Sequence, residues 1–527
     1  MQMPFLTEKQ FIIALQPVRQ RISQMLKDQT QAARVAHLTK IEESLLEHKR
    51  LHSEVFTWCG FQFYQKHVSR KTHHVPPKGS MDYFSPSEFP RDLLKCAYAS
   101  NVESNIFTER NSSYLLNTTH IRENICAHVD VLDQHRGSKA STMAIILRKA
   151  RVNLKDEKLL MRLAYKAWVA SEDREVDQIF LISINPDFVG PFSLEKLDSF
   201  FVSQNVTSQI RERMETMNAE KIHSLSTSEP VAPVPQDITP ITSSQSVLNL
   251  PRISGKQMES LMHANITHVN SPLVQTDFAW SAEQKKHIDL RLAGEPFIDR
   301  VNLAQFLLNF RFPRHYIDFE TASIDISPWQ CKPFEAMPFQ FSMHVQDDAK
   351  STVRHHSYLH LDSRNDPISD PRLQLVKFLV DSCGSSGHTG GVIAHHASFE
   401  RRILQALEAH MLAIGEKSLS DSLRSIRERI IDLEDVFKQF YIDPRFLGST
   451  SLKKIQPIVV PMRSYGDLQG CVSDGQKASE IYALWVSQPL PAFRVRRLRN
   501  ALLEYCRLDT QVMVDIVEFL ENVVRTK

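Results

Sequence analysis

One segment of the C-terminal half alternates strictly between polar and apolar residues, and this pattern constrains the fold more than any other. In residues 338–345 (PFQFSMHV) the apolar positions are Phe339, Phe341, Met343 and Val345. Successive side chains of a strand point to opposite faces, so the segment is predicted to form a half-buried β-strand with these four side chains on one face. The preceding segment 314–320 (RHYIDFE) has strand composition, and we expect the two strands to pair. With a predicted helix at about 371–382 and a short strand at 392–395, the pattern favours an α/β fold.

Strands and helices are also predicted in the N-terminal half of the 527-residue chain, which is long enough for two to four domains. The predicted elements there are helices within 7–56, strands at 125–133, 141–152 and 178–184, and a helix over 156–170. Residues 223–256 are rich in Ser, Thr and Pro, which indicates an exposed linker or, alternatively, a long surface loop. The predicted organisation is a first domain at 1–222, the linker at 223–256, a connecting helical segment at 257–312 and a second domain at 313–527.

Composition excludes several classes of protein. The 63 Lys and Arg nearly balance the 61 Asp and Glu, so the chain is not a globally basic nucleic-acid binder, although a local patch is compatible with this balance. The seven cysteines form no C-x-x-C pair, which argues against a zinc module, an iron–sulfur cluster or a disulfide framework. Scattered thiols fit a reducing cytoplasm. The sequence has no uncharged apolar run of about 18 residues and no signal-peptide pattern, so we expect a cytoplasmic protein that does not enter a membrane.

Acidic residues in the C-terminal half form a spaced series. Asp318 and Glu320 are two apart in the predicted strand 314–320, so their side chains share one face. A divalent ion such as Mg²⁺ or Mn²⁺ relieves the repulsion of such a pair, but about seven acidic pairs at this spacing arise by chance in a chain of this composition. The alternative is a solvated strand face. Glu400 follows the short strand at a predicted helix start, and Tyr505 and Asp509 are i, i+4 on one helix face.

The order of these motifs resembles the DEDD superfamily of 3′→5′ exonucleases, tyrosine type. The resemblance rests on the D-x-E strand, the acidic residue after a strand-end Phe and the terminal Y-x-x-x-D helix. It implies an RNase H-like mixed sheet flanked by helices over 313–527 and a two-ion Mg²⁺ or Mn²⁺ site. In that site Asp318 would bridge both ions, Glu320, Glu400 and Asp509 would complete their ligands, and Tyr505 would orient or deprotonate the attacking water. The substrate would be a single-stranded end of DNA or RNA.

One position departs from the family pattern, because most of these exonucleases have Asp where this chain has Glu400. The longer side chain still offers a hard oxygen ligand, although its geometry differs. Asp432 is a reserve acidic candidate, and its alternative interpretation is an N-cap of the following helix.

Basic residues near these motifs are candidates for phosphate contacts. Arg494 and Arg497 belong to an arginine-rich start of the last predicted helix, and Lys453 and Lys454 end the loop 448–454. The alternative for each is an ordinary solvated surface.

The chain as a whole also resembles an uncharacterised bacterial family, a domain of unknown function, in which a RecB-type half precedes the DEDD half. This implies a PD-(D/E)XK-like α/β fold within 1–222. Asp130 and Lys149 fit two signature positions, but Leu147 occupies the glutamate position and Lys166 the glutamine position. We therefore expect a degenerate, inactive nuclease site without an iron–sulfur cluster, while an ordinary surface ion pair is the alternative for Asp130 and Lys149.

Two functions from different classes remain open from the sequence. The first is a metal-dependent 3′→5′ exonuclease acting on DNA or RNA. The second is a non-catalytic nucleic-acid-binding or scaffold protein that retains two nuclease folds.

Overall fold

The structure is a computed structural model that describes most of the chain from residue 106 onward. The described residues are 106–109, 112–122, 125–135, 139–172, 174–219, 246–264, 266–272, 274, 278–360, 369–383, 389–462, 472–487 and 492–526, preceded by Glu43, Leu45, Leu46, Phe56, Cys59, Gly60, Phe63 and Tyr64. Most of the helices predicted within 7–56, and the predicted linker up to residue 245, lie outside these residues.

A six-stranded sheet forms the N-terminal unit, and its strands lie side by side in chain order. They are β1 (Ile106–Glu109), β2 (Ser112–Arg122), β3 (Ile125–His135), β4 (Ala140–Leu147), β5 (Glu175–Ile184) and β6 (Phe201–Asn205). The helices are α1 (Glu157–Ala170), α2 (Leu197–Phe200) and α3 (Thr207–Ala219). β4 and β5 are parallel and joined through α1, whereas the other neighbouring strands are antiparallel. The strands predicted at 125–133 and 178–184 and the helix predicted over 156–170 are therefore confirmed, whereas the strand predicted over 141–152 ends at Leu147.

Helix α1 covers the sheet because its apolar side chains recur at helical spacing. Leu160, Leu163, Ala164 and Ala167 are buried in one core with residues of β3, β4 and β5. The Asp156 carboxylate accepts hydrogen bonds from two backbone N–H groups of the first turn, which fixes where the helix begins.

The middle segment is helical, as predicted for 257–312. It contains α4 (Gly255–His263), α5 (Ala282–Ala293), the short strand β7 (Phe297–Ile298) and α6 (Arg300–Leu307). The end of the predicted exposed linker differs from the prediction, because Val247 and Leu250 are buried in a core with Leu261 and Ile288. Their apolar side chains pack against α4 and α5, which the polar composition of 223–256 did not indicate.

A five-stranded mixed sheet forms the C-terminal unit, and its spatial order is β10-β9-β8-β11-β12. These strands are β8 (Arg314–Ser323), β9 (Ala336–Gln346), β10 (Arg354–Leu359), β11 (Gly391–Ala394) and β12 (Ile430–Asp432). β8 pairs with β9 in antiparallel and with β11 in parallel, which confirms the predicted pairing and the α/β class. Strand β13 (Tyr441–Ile442) pairs separately with β7.

Helices cover both faces of this sheet. They are α7 (Pro371–Cys383), α8 (Ser398–Ala413), α9 (Lys417–Glu428), α10 (Glu434–Gln439), α11 (Leu452–Val459), α12 (Gly475–Ser487) and α13 (Ala492–Arg525). Ile317 and Phe319 of β8 pack with α7 and α8. Tyr316 packs on the other side of the sheet with α13. Because alternate residues of a strand share a face, Asp318 and Glu320 also lie on the side of that helix.

The alternation predicted for 338–345 holds for three of its four apolar residues. Phe341, Met343 and Val345 share a core, but Phe339 stacks on Tyr482 of α12 with ring centroids 4.0 Å apart. The pairing of β8 with β9 shifts register between Glu320 and Thr321, and a bulge of this kind turns the following side chains to the other face. β9 is also buried on both faces rather than one, because α12 and α13 cover the face that was expected to be polar.

The two sheet units contact each other directly. The Arg148 guanidinium, after β4, lies 2.7 Å from the buried carboxylate of Asp325, in the loop after β8. The Gly190 N–H donates to the Cys331 carbonyl at 2.9 Å, and Ile326 is buried in the N-terminal core. A side chain on Gly190 would meet the Trp329 carbonyl oxygen at 2.3 Å, so this contact requires glycine.

Four described cysteines, Cys59, Cys331, Cys383 and Cys506, are free and buried. Within the described part of the chain, no helix is both long and apolar enough to span a bilayer.

Candidate metal centre

The candidate site begins on β8, where two carboxylates share one strand face. Oxygens of Asp318 and Glu320 and the sulfur of Cys506 all lie within 4.8 Å of one another. Glu320 is buried and Asp318 is half-buried. The strand therefore brings together the pair that the D-x-E spacing predicted.

Helix α13 lies across this face because polar side chains of β9 hold it there. The Gln340 amide donates to the Leu502 carbonyl at 2.8 Å, and the hydroxyls of Ser342 and Thr510 are 2.8 Å apart. These bonds fix the position of α13 along the sheet and its rotation about its own axis. Asp509 and Cys506, three residues apart, consequently face the carboxylates of the strand.

Burial and mutual repulsion raise the pKa values of the carboxyl groups in this cluster. Burial raises the pKa of Asp318 well above its ordinary value, and the Asp509 carboxylate raises it further. The pKa of Glu320 is raised by burial first and then by Asp318 and Asp509. Lys453 is the cation that opposes these increases at both residues. So many negative charges in a buried place are unfavourable without a further cation.

Glu400 adds a fourth carboxylate from the first turn of α8. Its residue exposure is only 3%, and its Oε2 atom has no hydrogen-bond partner among the described residues. Burial raises the pKa of Glu400, and the charge of Asp318 is the second cause. Glu400 and Asp509 lie outside the set within 4.8 Å, but the charge of Asp509 raises the pKa of Asp318, and the charge of Asp318 raises the pKa of Glu400.

The turn that carries Glu400 is held by Asp432 of β12. One Asp432 oxygen accepts from the His396 N–H at 3.0 Å, and the other accepts from the Ala397 N–H at 3.1 Å. His396 has a φ of 66°, in the left-handed region, so this turn adopts a strained backbone. Asp432 also accepts from the Glu434 N–H at 3.0 Å, but it precedes Leu433, the N-cap of α10, so it is not itself the N-cap residue of that helix.

Tyr505 is buried beside the cluster, and Lys453 lies over its ring. The Lys453 ammonium is 4.9 Å from the ring centroid and donates to the Ser473 carbonyl at 2.7 Å. The cation–π contact and the nearby carboxylates therefore place half-buried Lys453 beside the centre, and its predicted contact with phosphate remains a prediction. Gly475, at the start of α12, is also close, because a side chain there would reach within 3.3 Å of a Glu320 oxygen.

The other basic candidates lie at the surface. Lys454 and Arg497 are exposed and Arg494 is partly exposed, the two arginines in the first two turns of α13. Their predicted contacts with phosphates remain predictions.

The predicted N-terminal pair is not assembled as an ion pair. Asp130 accepts from the Ile146 N–H at 3.1 Å, whereas Lys149 is exposed beyond the end of β4. Burial raises the pKa of Asp130. The largest effect that lowers this pKa is the charge of Lys166 on α1. Thus Lys166, rather than Lys149, is the lysine that the structure brings to Asp130.

Sequence reasoning missed two residues of the centre. Cys506 was not predicted to be a site residue. Its i, i+3 spacing from Asp509 is the signal that would have indicated a shared helix face. The contact of Lys453 with Tyr505 was not predicted, because nothing in the loop 448–454 indicates that its side chain turns toward that ring.

The donors of the centre fit a divalent cation. Four carboxylates supply the hard oxygens that Mg²⁺ and Mn²⁺ prefer, and the unpartnered Glu400 Oε2 is a buried acceptor that an ion would satisfy. The cation would also neutralise the repulsion that raises the three carboxyl pKa values.

Comparison with known proteins gives one match. The model of a family described as a domain of unknown function (DUF2779) matches residues 315–451. The matched region runs from β8 to the residue before α11, so it includes Asp318, Glu320 and Glu400 and ends before Tyr505 and Asp509. No curated protein and no solved structure matches the chain.

Proposed function

We propose that the chain is a metal-dependent 3′→5′ exonuclease that hydrolyses phosphodiester bonds of DNA or RNA. The observation that carries the proposal is the convergence of buried carboxylates from β8, α8 and α13 at one place. The raised pKa values of Asp318, Glu320 and Glu400 and the unpartnered Glu400 oxygen support the proposal, because a bound cation would offset the repulsion among these groups and satisfy that oxygen. The α/β class and the order of the motifs agree with an RNase H-like domain of the DEDD type.

Asp318, Glu320, Glu400 and Asp509 would hold the ions, which we take to be two Mg²⁺ or Mn²⁺. Bound divalent ions polarise a phosphoryl oxygen and lower the pKa of water in such sites. Asp318 would be the central ligand, because its charge interacts with those of both Asp509 and Glu400.

Tyr505 would orient the attacking water by hydrogen bonding, since its hydroxyl belongs to the helix that also carries Asp509. The Lys453 ammonium restricts the ring from one side and offsets part of the carboxylate charge. The surface cations Arg494, Arg497 and Lys454 would attract the strand that carries the scissile end.

The N-terminal unit would have a non-catalytic part in this protein. Leu147 cannot bind a metal ion, and exposed Lys149 is not paired with Asp130, so a PD-(D/E)XK-like fold here would be degenerate. Binding of nucleic acid is the role that such a unit could retain.

A nuclease assay tests the proposal directly. Purified full-length chain is incubated with single-stranded DNA and RNA, each labelled at the 5′ end, with Mg²⁺ or Mn²⁺. We expect a ladder that shortens from the 3′ end, and a rate at least about a hundredfold lower for Asp318→Asn. Asp381→Asn, which changes an exposed carboxylate at the end of α7, should retain the wild-type rate. Equal rates for wild type and Asp318→Asn would overturn the assignment. No product under either metal would favour the non-catalytic binding protein instead.

A further inference from the structure

We propose that Cys506 is a specificity-determining ligand of this centre, which lets it hold thiophilic divalent cations such as Zn²⁺ and Cd²⁺ through sulfur. This inference deepens the proposed function and rests on it, because it concerns the metal specificity of the same carboxylates.

The surroundings of Cys506 differ from those of the other buried thiols. Cys59, Cys331 and Cys383 each lie in a hydrophobic core. The Cys506 sulfur instead lies 3.4 Å from the Asp318 Oδ2 atom and within 4.8 Å of a Glu320 oxygen. The thiol donates a hydrogen bond to Asp318, so the Cys506 sulfur faces carboxylates rather than apolar side chains.

The distance between sulfur and oxygen fits two ligands of one ion. In a tetrahedral site the bonds to thiolate and to carboxylate are about 2.3 Å and about 2.0 Å, which separates the two donors by about 3.5 Å. The observed separation is 3.4 Å.

A second observation, independent of the cysteine, indicates that the place takes a cation. Glu400 is 3% exposed, and its Oε2 atom has no partner among the described residues. Glu400 lies on α8 and Cys506 on α13, so the two observations come from different elements, and both residues interact with Asp318.

Sulfur changes which cations the centre prefers. Thiolates favour Zn²⁺ and other soft ions, whereas Mg²⁺ and Mn²⁺ rely on oxygen ligands. When a thiophilic ion binds, the S–H bond breaks, a sulfur–metal bond forms, and the proton passes to the buffer without any electron transfer. A serine at this position keeps an oxygen donor but loses the sulfur, so it should separate the two classes of ion.

Cadmium is a suitable probe, because its bond to thiolate gives a charge-transfer band in the ultraviolet. The full-length chain is titrated with Cd²⁺, and the same titration is made with Cys506→Ser and with Cys383→Ser as the matched control. We expect the wild type and Cys383→Ser to show a saturable band, and Cys506→Ser to lose it. The Cd²⁺ affinity of Cys506→Ser should fall at least about tenfold, equivalent to about 1.4 kcal/mol, while its Mn²⁺ affinity stays within about threefold of wild type. An unchanged band in Cys506→Ser would overturn the inference.

A measurement on the unmutated protein covers the case in which the variant does not fold. X-ray absorption of the Zn²⁺-loaded wild type should show a sulfur neighbour at about 2.3 Å, and a shell of oxygen and nitrogen alone would overturn the inference. Failure of this inference is distinguishable from failure of the proposed function. Mn²⁺ binding that depends on Asp318 without a sulfur–metal bond overturns only the role of Cys506, whereas absence of any Asp318-dependent metal binding overturns both.

Discussion

Glu400 carries a negative charge into a buried place that already holds other carboxylates. Burial and the charge of Asp318 raise the pKa of Glu400, so at pH values above the ordinary carboxyl pKa of 4.5 its ionised form destabilises the metal-free fold. That destabilisation is absent below the ordinary pKa, grows as the pH rises from the ordinary pKa to the raised pKa, and is complete above the raised pKa. The same charge would be favourable once a cation is bound.

Glu400→Gln should therefore stabilise the metal-free protein and weaken its response to metal. At pH 7 we expect the melting temperature without metal to rise by about 2 °C or more, and the Mn²⁺-dependent rise seen in wild type to disappear. Differential scanning fluorimetry with and without Mn²⁺ measures both effects. A variant whose melting temperature still rises with Mn²⁺ as in wild type would show that Glu400 is not a ligand.

The sequence predicts neighbouring site residues where they are close in the chain and share one face of a strand or helix. The period of two in a strand places Asp318 beside Glu320, and the period of a helix places Asp509 beside Tyr505. The same spacing does not reveal the turn of Lys453 toward Tyr505, because that depends on how α11 packs against α13. The turn of Phe339 to the other face of β9, where it is buried against Tyr482, was missed for a similar reason, since a bulge is a property of two strands together.

The turn between β11 and α8 depends on a group of polar contacts centred on Glu434. Burial tends to raise the pKa of Glu434, but hydrogen bonds from Lys438, Thr450 and His396 outweigh it and lower the pKa to about 2. A lowered carboxyl pKa means that the charged form stabilises the fold above the ordinary pKa of 4.5, and that this stability is lost as the pH falls toward 2.

Glu434→Gln should accordingly destabilise the protein in a pH-dependent way. We expect a loss of about 2 kcal/mol in the free energy of unfolding at pH 7, which shrinks as the pH decreases from about 4.5 toward 2. Urea unfolding at a series of pH values measures the loss, and Glu428→Gln, at an exposed position on α9, should change the free energy by less than about 0.5 kcal/mol. A loss that is equally large at low pH would contradict the ionic explanation.

Elements were predictable where a hydrophobic period ran over many residues. The period of two indicated β8 and β9, and the helical period indicated α1 and α13. The burial of both faces of β9 was not predictable. Gln340 and Ser342 are polar and suggest a solvent-exposed face, but their side chains form hydrogen bonds with α13.

The whole molecule depends on the contact between its two sheet units. Gly190 approaches the loop after β8 so closely that an added methyl group would lie 2.3 Å from the Trp329 carbonyl oxygen. Gly190→Ala should lower the free energy of unfolding by about 1–3 kcal/mol, because the backbone oxygen cannot move as a side chain can. Gly255→Ala is the matched control, since a methyl group there meets no atom within 4 Å. Equal melting temperatures for the two variants would contradict the close contact.

This contact lay beyond sequence reasoning, as did the packing of Val247 and Leu250. Both join residues that are distant in the chain, and neither has a local period or a charged motif. Composition correctly marked much of 223–256 as polar, but it could not indicate which few apolar residues would find a core.

The most direct test of the account is whether the carboxylate cluster binds a divalent ion. Isothermal titration of the full-length chain with Mn²⁺ should give saturable binding of up to two ions, since Asp318 and Glu320 lie together and interact electrostatically with Glu400 and Asp509. Binding should be lost in Asp318→Asn and retained in Asp381→Asn. Identical Mn²⁺ binding by wild type and Asp318→Asn would contradict the metal centre and, with it, the nuclease proposal.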